Sequence, residues 1–272
     1  MRQRSKIGNY EVKKSDIELF TYLYKVKVAT REQLTRDCYK ELQKEAIYKR
    51  LRKFCDHHLL QNIVAPGLGN KRVYSVTKKT FDQFIKQGDE SELNFTSEKL
   101  GHDLTLVDLR TAFLSCPAVK SYYTENELKT WHGDGSNSKL SEMARQNSDG
   151  CVALESNGER LYLPLELELS RQNPSKNLSR FTTYQLAGDI HTVLVVFSDQ
   201  NLVQLYRKHL SKITLNKTTD FYFTSLQDIT QSGRFIFESQ NGEKIDFGPG
   251  KLGKLSLKDW NFPVPYIYLQ TA

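Results

Sequence analysis

The spacing of apolar positions changes several times along this chain, and each change marks an element. After a basic arm, residues 1–14, Ile17, Phe20, Leu23 and Tyr24 recur at the spacing of one helix face, with Ser15-Asp16 placed to cap it. Thr30 followed by Gln33 reads as a capping box for a short second helix through Leu34. A third helix is predicted over residues 43–57, with Ile47, Leu51 and Phe54 on one stripe. Two short strands, 59–64 and 72–76, then flank a turn at Pro66-Gly67-Leu68-Gly69-Asn70. Residues 86–97 are polar and acidic with no apolar period, which predicts a linker.

The second part of the chain predicts a mixed architecture. A helix is expected over 98–114, carrying Leu100, Leu104, Val107, Leu109 and Phe113 and ending before Pro117. A strand follows at 119–123, and the polar stretch 132–146 reads as an exposed loop. Residues 147–170 read as a hairpin: Cys151-Val152-Ala153-Leu154, a Gly-containing turn at Ser156-Asn157-Gly158-Glu159, then a second run over 161–169. A helix over 176–188 precedes 191–197, so uniformly apolar that it predicts a strand buried on both faces. Another helix (201–210) and a strand (221–224) lead into an irregular, β-rich remainder through Phe235-Ile236-Phe237 to Pro263 and Pro265.

Composition narrows this picture. A chain of 272 residues with 38% hydrophobic content is long enough for two domains, taken as 1–85 and 98–272 around the linker. No segment approaches the roughly 18 consecutive apolar residues of a membrane span, and no apolar run follows the basic start as in a leader peptide. Cys38, Cys55, Cys116 and Cys151 have no C-x-x-C spacing, which fits a reducing cytoplasm and excludes a sequence-local zinc motif. The net charge of +7 is uneven: residues 1–90 hold 20 Lys and Arg against 11 Asp and Glu, and the remainder holds 19 against 21. A basic module in front of a near-neutral one points to nucleic-acid binding, with double-stranded DNA as the expected partner, and the lack of an apolar span sets the expectation of no membrane partner.

The candidate chemistry falls in the two halves separately. On the third helix, Lys44, Tyr48, Lys49, Arg52 and Lys53 lie opposite the apolar stripe, and Lys71 and Arg72 sit beside the Gly-rich turn. Three helices and a hairpin in this order resemble a winged helix-turn-helix domain, with the third helix placed to read a major groove and the wing to reach the backbone. In the second half, Glu166 and Glu168 share one face of a strand, because side chains alternate with period two. Such alternation also suits a solvated sheet face. A divalent cation held with Asp149 on the neighbouring strand is the other explanation for two adjacent acids.

Asp149 at the head of one strand and Glu166 on the next resemble the PD-(D/E)xK pattern of restriction-endonuclease-like nucleases, with Ser148 where that pattern has Pro and Glu168 where it usually has Lys. Together with the N-terminal module, the chain resembles the replication-relaxation family, which includes MobC-type mobilisation relaxases. The residues that carry this resemblance are His102, then Glu166-Leu167-Glu168-Leu169-Ser170, then Lys176 with Arg180 to Tyr184.

The resemblance implies an α+β or α/β protein in which a winged helix-turn-helix precedes a mixed, restriction-endonuclease-like sheet flanked by helices. It implies a DNA nickase acting at an origin of transfer or replication, with other replication or conjugation proteins as partners and a homodimer as one expected assembly. Mg²⁺ or Mn²⁺ would be held by Asp149, Glu166 and Glu168. Glu168 would also polarise the attacking water or the leaving oxygen, and Lys176 would replace the missing cation unless it is a surface residue. His102 would bond a ligand or the phosphate unless it is packed core, and Tyr184 is either a nucleophile or core. The alternative is a DNA-binding regulator whose nuclease-like domain no longer cuts.

Overall fold

The structure is a computed structural model that describes residues 6–7, 10–65, 68, 70–86, 97, 99–130, 138–156, 159–170, 174–210 and 219–249. Nearly all of the expected linker, the tip of the hairpin at 157–158 and the tail with Pro263 and Pro265 lie outside the described residues. The protein is a mixed α+β chain of two compact units that divide between Asp108 and Leu109. Among the described residues, no helix is long and apolar enough to cross a membrane.

The first unit opens with a two-residue strand pair, β1 (Lys6–Ile7) and β2 (Tyr10–Glu11), within the expected arm. Helix α1 (Lys14–Val26) starts one residue earlier than its sequence cap suggests. Asp16 is not the cap: it sits in the first turn, where its carboxylate accepts the Lys13 backbone N–H at 2.8 Å and Arg50 Nε donates to it at 2.5 Å. The capping box at Thr30 and Gln33 forms as expected, each side chain taking the other's backbone N–H. It opens α2 (Arg31–Cys38), which runs a full turn beyond Leu34.

Strand β3 (Ala29–Thr30) precedes α2, and α3 (Lys44–Asp56) follows it. Strands β4 (Leu60–Ala65) and β5 (Lys71–Val76) form an antiparallel hairpin, and the sheet order is β3-β5-β4. Ile47, Leu51 and Phe54 are fully buried with Leu19, Phe20 and Leu23, and the Phe20 and Phe54 rings meet edge-to-face at 5.1 Å. The short helix α4 (Lys78–Thr80) runs into a π-helical turn, Phe81–Ile85.

The division between units falls inside α5 (Leu100–Ser115). Its first half belongs to the first unit. Gln33 Nε2 donates to the Leu104 carbonyl at 2.8 Å, and Arg36 bridges Asp37 at 2.7 Å and Asp108 at 2.6 Å.

In the second unit a seven-stranded sheet has the order β12-β11-β10-β9-β8-β7-β6. Its strands are β6 (Val119–Thr124), β7 (Gly150–Ser156), β8 (Glu159–Glu168), β9 (Thr192–Phe197), β10 (Asp220–Ser225), β11 (Arg234–Ser239) and β12 (Lys244–Pro249). Strands β8, β9 and β10 run parallel, and the remaining pairs are antiparallel. Strand β9 is the middle strand, and its buried run from Val193 to Phe197 matches the continuous apolar pattern.

Helices α6 (Glu125–Thr130), α7 (Ser138–Arg145), α8 (Pro174–Leu186), α9 (Gln200–Leu210) and α10 (Leu226–Ser232) connect the strands. The expectation of an exposed loop over 132–146 is corrected by α7, which buries Leu140 and Met143. Those two residues, three apart, form an apolar stripe too short to stand out against polar neighbours. One sheet face packs Phe181, Tyr184 and Tyr206 of α8 and α9 against Cys151, Val195 and Phe197. Phe113 of α5 meets Tyr122, Phe235, Phe237 and Phe247, with centroids 4.7–6.2 Å apart.

Candidate active site

The candidate site lies where β7 and β8 part. Their antiparallel pairing ends at Gly150 and Leu165, while β8 continues beside β9 as far as Glu168. Beyond that end, the Asp149 carboxylate accepts the Leu167 backbone N–H at 2.8 Å. Asp149 therefore serves the sheet as well as the site. Gly150 beside it is required by close approach, since a Cβ there would fall 2.5 Å from the Tyr122 hydroxyl.

The chain reaches Asp149 through the end of α7. Asn147 holds the left-handed conformation that Asn tolerates better than most residues (φ 53°) and so turns the chain out of the helix. Its carbonyl accepts from Arg180 at 2.8 Å, and the next residue, Ser148, is wholly buried.

Glu166 projects from β8 towards α8 and is only 3% exposed, so this strand is no solvated face. Its carboxylate is held from both ends by residues one helical turn apart. Arg180 Nη2 lies 2.6 Å from Oε2, and the Tyr184 hydroxyl donates to Oε1. The same guanidinium stands 3.6 Å from Asp149 Oδ1. Because Tyr184 gives its single proton to Glu166, the Ser148 hydroxyl is the donor in the 2.6 Å contact with Tyr184. The result is a chain of donors, Ser148 to Tyr184 to Glu166, with Arg180 between the two acids.

The electrostatics follow from burial. Burial alone disfavours a charged guanidinium, but Glu166 first and Asp149 second outweigh it and hold the Arg180 pKa above its ordinary value. Burial, reinforced by the neighbouring Glu166 charge, raises Tyr184 well above the usual phenol range. A buried, neutral tyrosine already donating its proton is a structural hydrogen-bond donor, so the core reading of Tyr184 describes its place and the nucleophile reading does not.

The other expected site residues are distributed as follows. Glu168 shares the Glu166 face, but its carboxylate accepts the Ser170 backbone N–H and hydroxyl, both at 3.0 Å. The Lys176 side chain lies outside the described residues. His102 belongs to the first unit, with Nδ1 3.2 Å from Asp103 Oδ1. The basic residues sit as the helical stripe requires: Lys44, Lys49, Arg52 and Lys53 are exposed along α3, Tyr48 and Lys71 are partly covered, and Arg72 is exposed on β5. The Arg72 guanidinium stands 5.9 Å from the Tyr48 ring centroid, linking hairpin and helix.

Arg180 brings a positive charge to the acid pair. The signal was present: Arg180 and Tyr184 are four residues apart, one face of a helix, directly after the acidic strand. Asp149 and Glu166 offer the hard oxygen donors that Mg²⁺ or Mn²⁺ accepts, and such ions commonly take only one or two protein carboxylates. Among the described residues, no group of three or more His, Cys, Asp or Glu side chains could hold a metal ion. Comparison of the chain with protein-family models, with curated proteins and with solved structures finds no match.

Proposed function

We propose that this chain is a relaxase-like, DNA-binding nickase that acts at an origin of transfer or replication of a mobile element. The observation that carries the reading is the convergence of Asp149 and Glu166 at the ends of neighbouring strands, both buried, with Glu168 two residues on along the same face. Buried acids cost desolvation energy and are kept where a cation or a reaction needs them. In this reading the first unit is a winged helix-turn-helix. The order of α1, α2, α3, β4 and β5 supports it, as do the exposed Lys44, Lys49, Arg52 and Lys53. These cations, with Lys71 and Arg72, would contact phosphates and base edges of a duplex.

Asp149 and Glu166 are the residues that would hold a divalent ion, and Glu168, whose carboxylate accepts from Ser170, would have to turn towards them to contribute. Such an ion supplies charge stabilisation at the scissile phosphate and lowers the pKa of water. Tyr184, itself held by Ser148, orients Glu166, and the Leu167 N–H orients Asp149.

A second reading, a DNA-binding regulator that does not cut, is favoured by the Arg180–Glu166 ion pair, which already offsets the Glu166 charge. A nicking assay separates the two. Supercoiled plasmid carrying the protein's own genetic neighbourhood is incubated with Mg²⁺ or Mn²⁺ and with wild type or a Glu166→Ala, Glu168→Ala double variant. Relaxation by the wild type alone supports the nickase. Equal binding by both proteins without relaxation makes the chain a regulator.

A further inference from the structure

We propose that Arg180 is a resident counter-cation of the acid pair, which a divalent ion must displace before it can be held by Asp149 and Glu166. The inference rests on the metal-site reading above and adds a competitor built into the fold. Three observations carry it. Arg180 Nη2 lies 2.6 Å from Glu166 and 3.6 Å from Asp149, so one guanidinium spans both acids. The two acid side chains are nearly buried, at 4% and 9% exposure, and would repel each other without a positive charge. The Arg180 side chain is 37% exposed, so a path towards solvent or a bound phosphate is open to its head once it gives up the acids and the Asn147 carbonyl, which accepts from it at 2.8 Å. Tyr184, one turn further along α8, is fully buried and stays to hold Glu166 in either state.

The consequence is a site with two charge states. With Arg180 in place, one of the two negative charges is offset and affinity for a lone divalent ion is weakened by the fraction of time that the guanidinium occupies the site. When it is displaced, Arg180 becomes available to the phosphodiester that arrives with the substrate, a pairing suited to its planar fork. Arg180 is then a positioning residue for DNA as well as a brake on empty-handed metal binding.

The test uses the full chain without DNA and Mn²⁺ alone as probe. Isothermal titration and melting-temperature shifts are measured for wild type, Arg180→Gln, Arg180→Lys and Asp149→Ala. The expected result is that Arg180→Gln melts lower than wild type without metal, recovers at saturating Mn²⁺, and binds Mn²⁺ on the order of tenfold more tightly. Arg180→Lys keeps the charge and falls between the two, and Asp149→Ala binds least. Equal Mn²⁺ affinity of wild type and Arg180→Gln, or weaker binding by Arg180→Gln, overturns the competitor role while leaving the metal site standing. No Mn²⁺ binding by any of the four proteins, each shown to be folded by circular dichroism, overturns the metal site and this inference together.

Discussion

The basic face of α3 and the acid cluster at the ends of β7 and β8 use the same kinds of side chain to opposite ends. On α3, Lys44, Lys49, Arg52 and Lys53 stand in solvent, where water screens them and their positive field extends outward. At the acid cluster, Asp149 and Glu166 are withdrawn from water, and each is met by donors from within the fold. The difference teaches where charge can be spent. An exposed cation contributes little to stability and is available to a partner. A buried acid is compensated internally, and any ligand must displace or join that compensation.

Breaking the buried side gives the largest effect. Glu166→Ala leaves Arg180 and Tyr184 facing a void, and unfolding in urea should show a loss of about 2–3 kcal/mol, moderated because Arg180 is partly exposed. Tyr184→Phe keeps the ring but removes the donor to Glu166, a loss of about 1–2 kcal/mol at neutral pH.

The same residue sets a pH dependence. Its folded pKa is raised, so the folded state holds its proton more tightly than the unfolded chain. That stabilising contribution is complete below the ordinary tyrosine pKa of about 10 and is lost as pH rises above it. Cys116, pushed up to about 11 by burial, contributes in the same direction, with its loss beginning at its ordinary value of 9.0. Stability measured between pH 8 and 11 should fall at the alkaline end, and less steeply in Tyr184→Phe. An unchanged slope in that variant would remove Tyr184 from the account.

The exposed side should respond in the reverse manner. Arg52→Ala with Lys49→Ala should change unfolding free energy by no more than about 0.5 kcal/mol, yet weaken duplex binding and reduce the logarithmic salt slope by about 2. A duplex affinity indifferent to these changes would end the DNA role of α3. Arg72→Ala is expected to cost the fold slightly more than the α3 pair. It removes a cation–π contact with Tyr48 worth about 0.5–1 kcal/mol at an exposed site, and an unfolding curve displaced by several times that amount would make the contact structural rather than peripheral.

Local pattern accounts for much of what was legible in advance. The capping box at Thr30 and Gln33, the stripe of Ile47, Leu51 and Phe54, and the two-faced burial of β9 are each written in a few neighbouring residues. Where the signal was brief or its partner distant, the reading failed. Helix α7 hides two apolar positions in a polar run, and Asp16 looked like a cap because its partner Arg50 lies 34 residues away. At the site, the two acids were legible, but the placement of Arg180 against Glu166 was not, because it depends on where α8 packs on the sheet.

The sequence by itself determined most element types, the basic first third and the placing of Asp149 and Glu166 at neighbouring strands, because periodicity and composition act over short stretches. Only the tertiary structure decided that β8 outruns β7, so that Asp149 accepts the buried Leu167 N–H. It alone decided that α8 lays Arg180 and Tyr184 across Glu166, while Glu168 turns to Ser170. Those outcomes depend on where the antiparallel pairing ends and where a helix lands on a sheet. Both are set by packing between residues far apart in the chain, which no local pattern encodes.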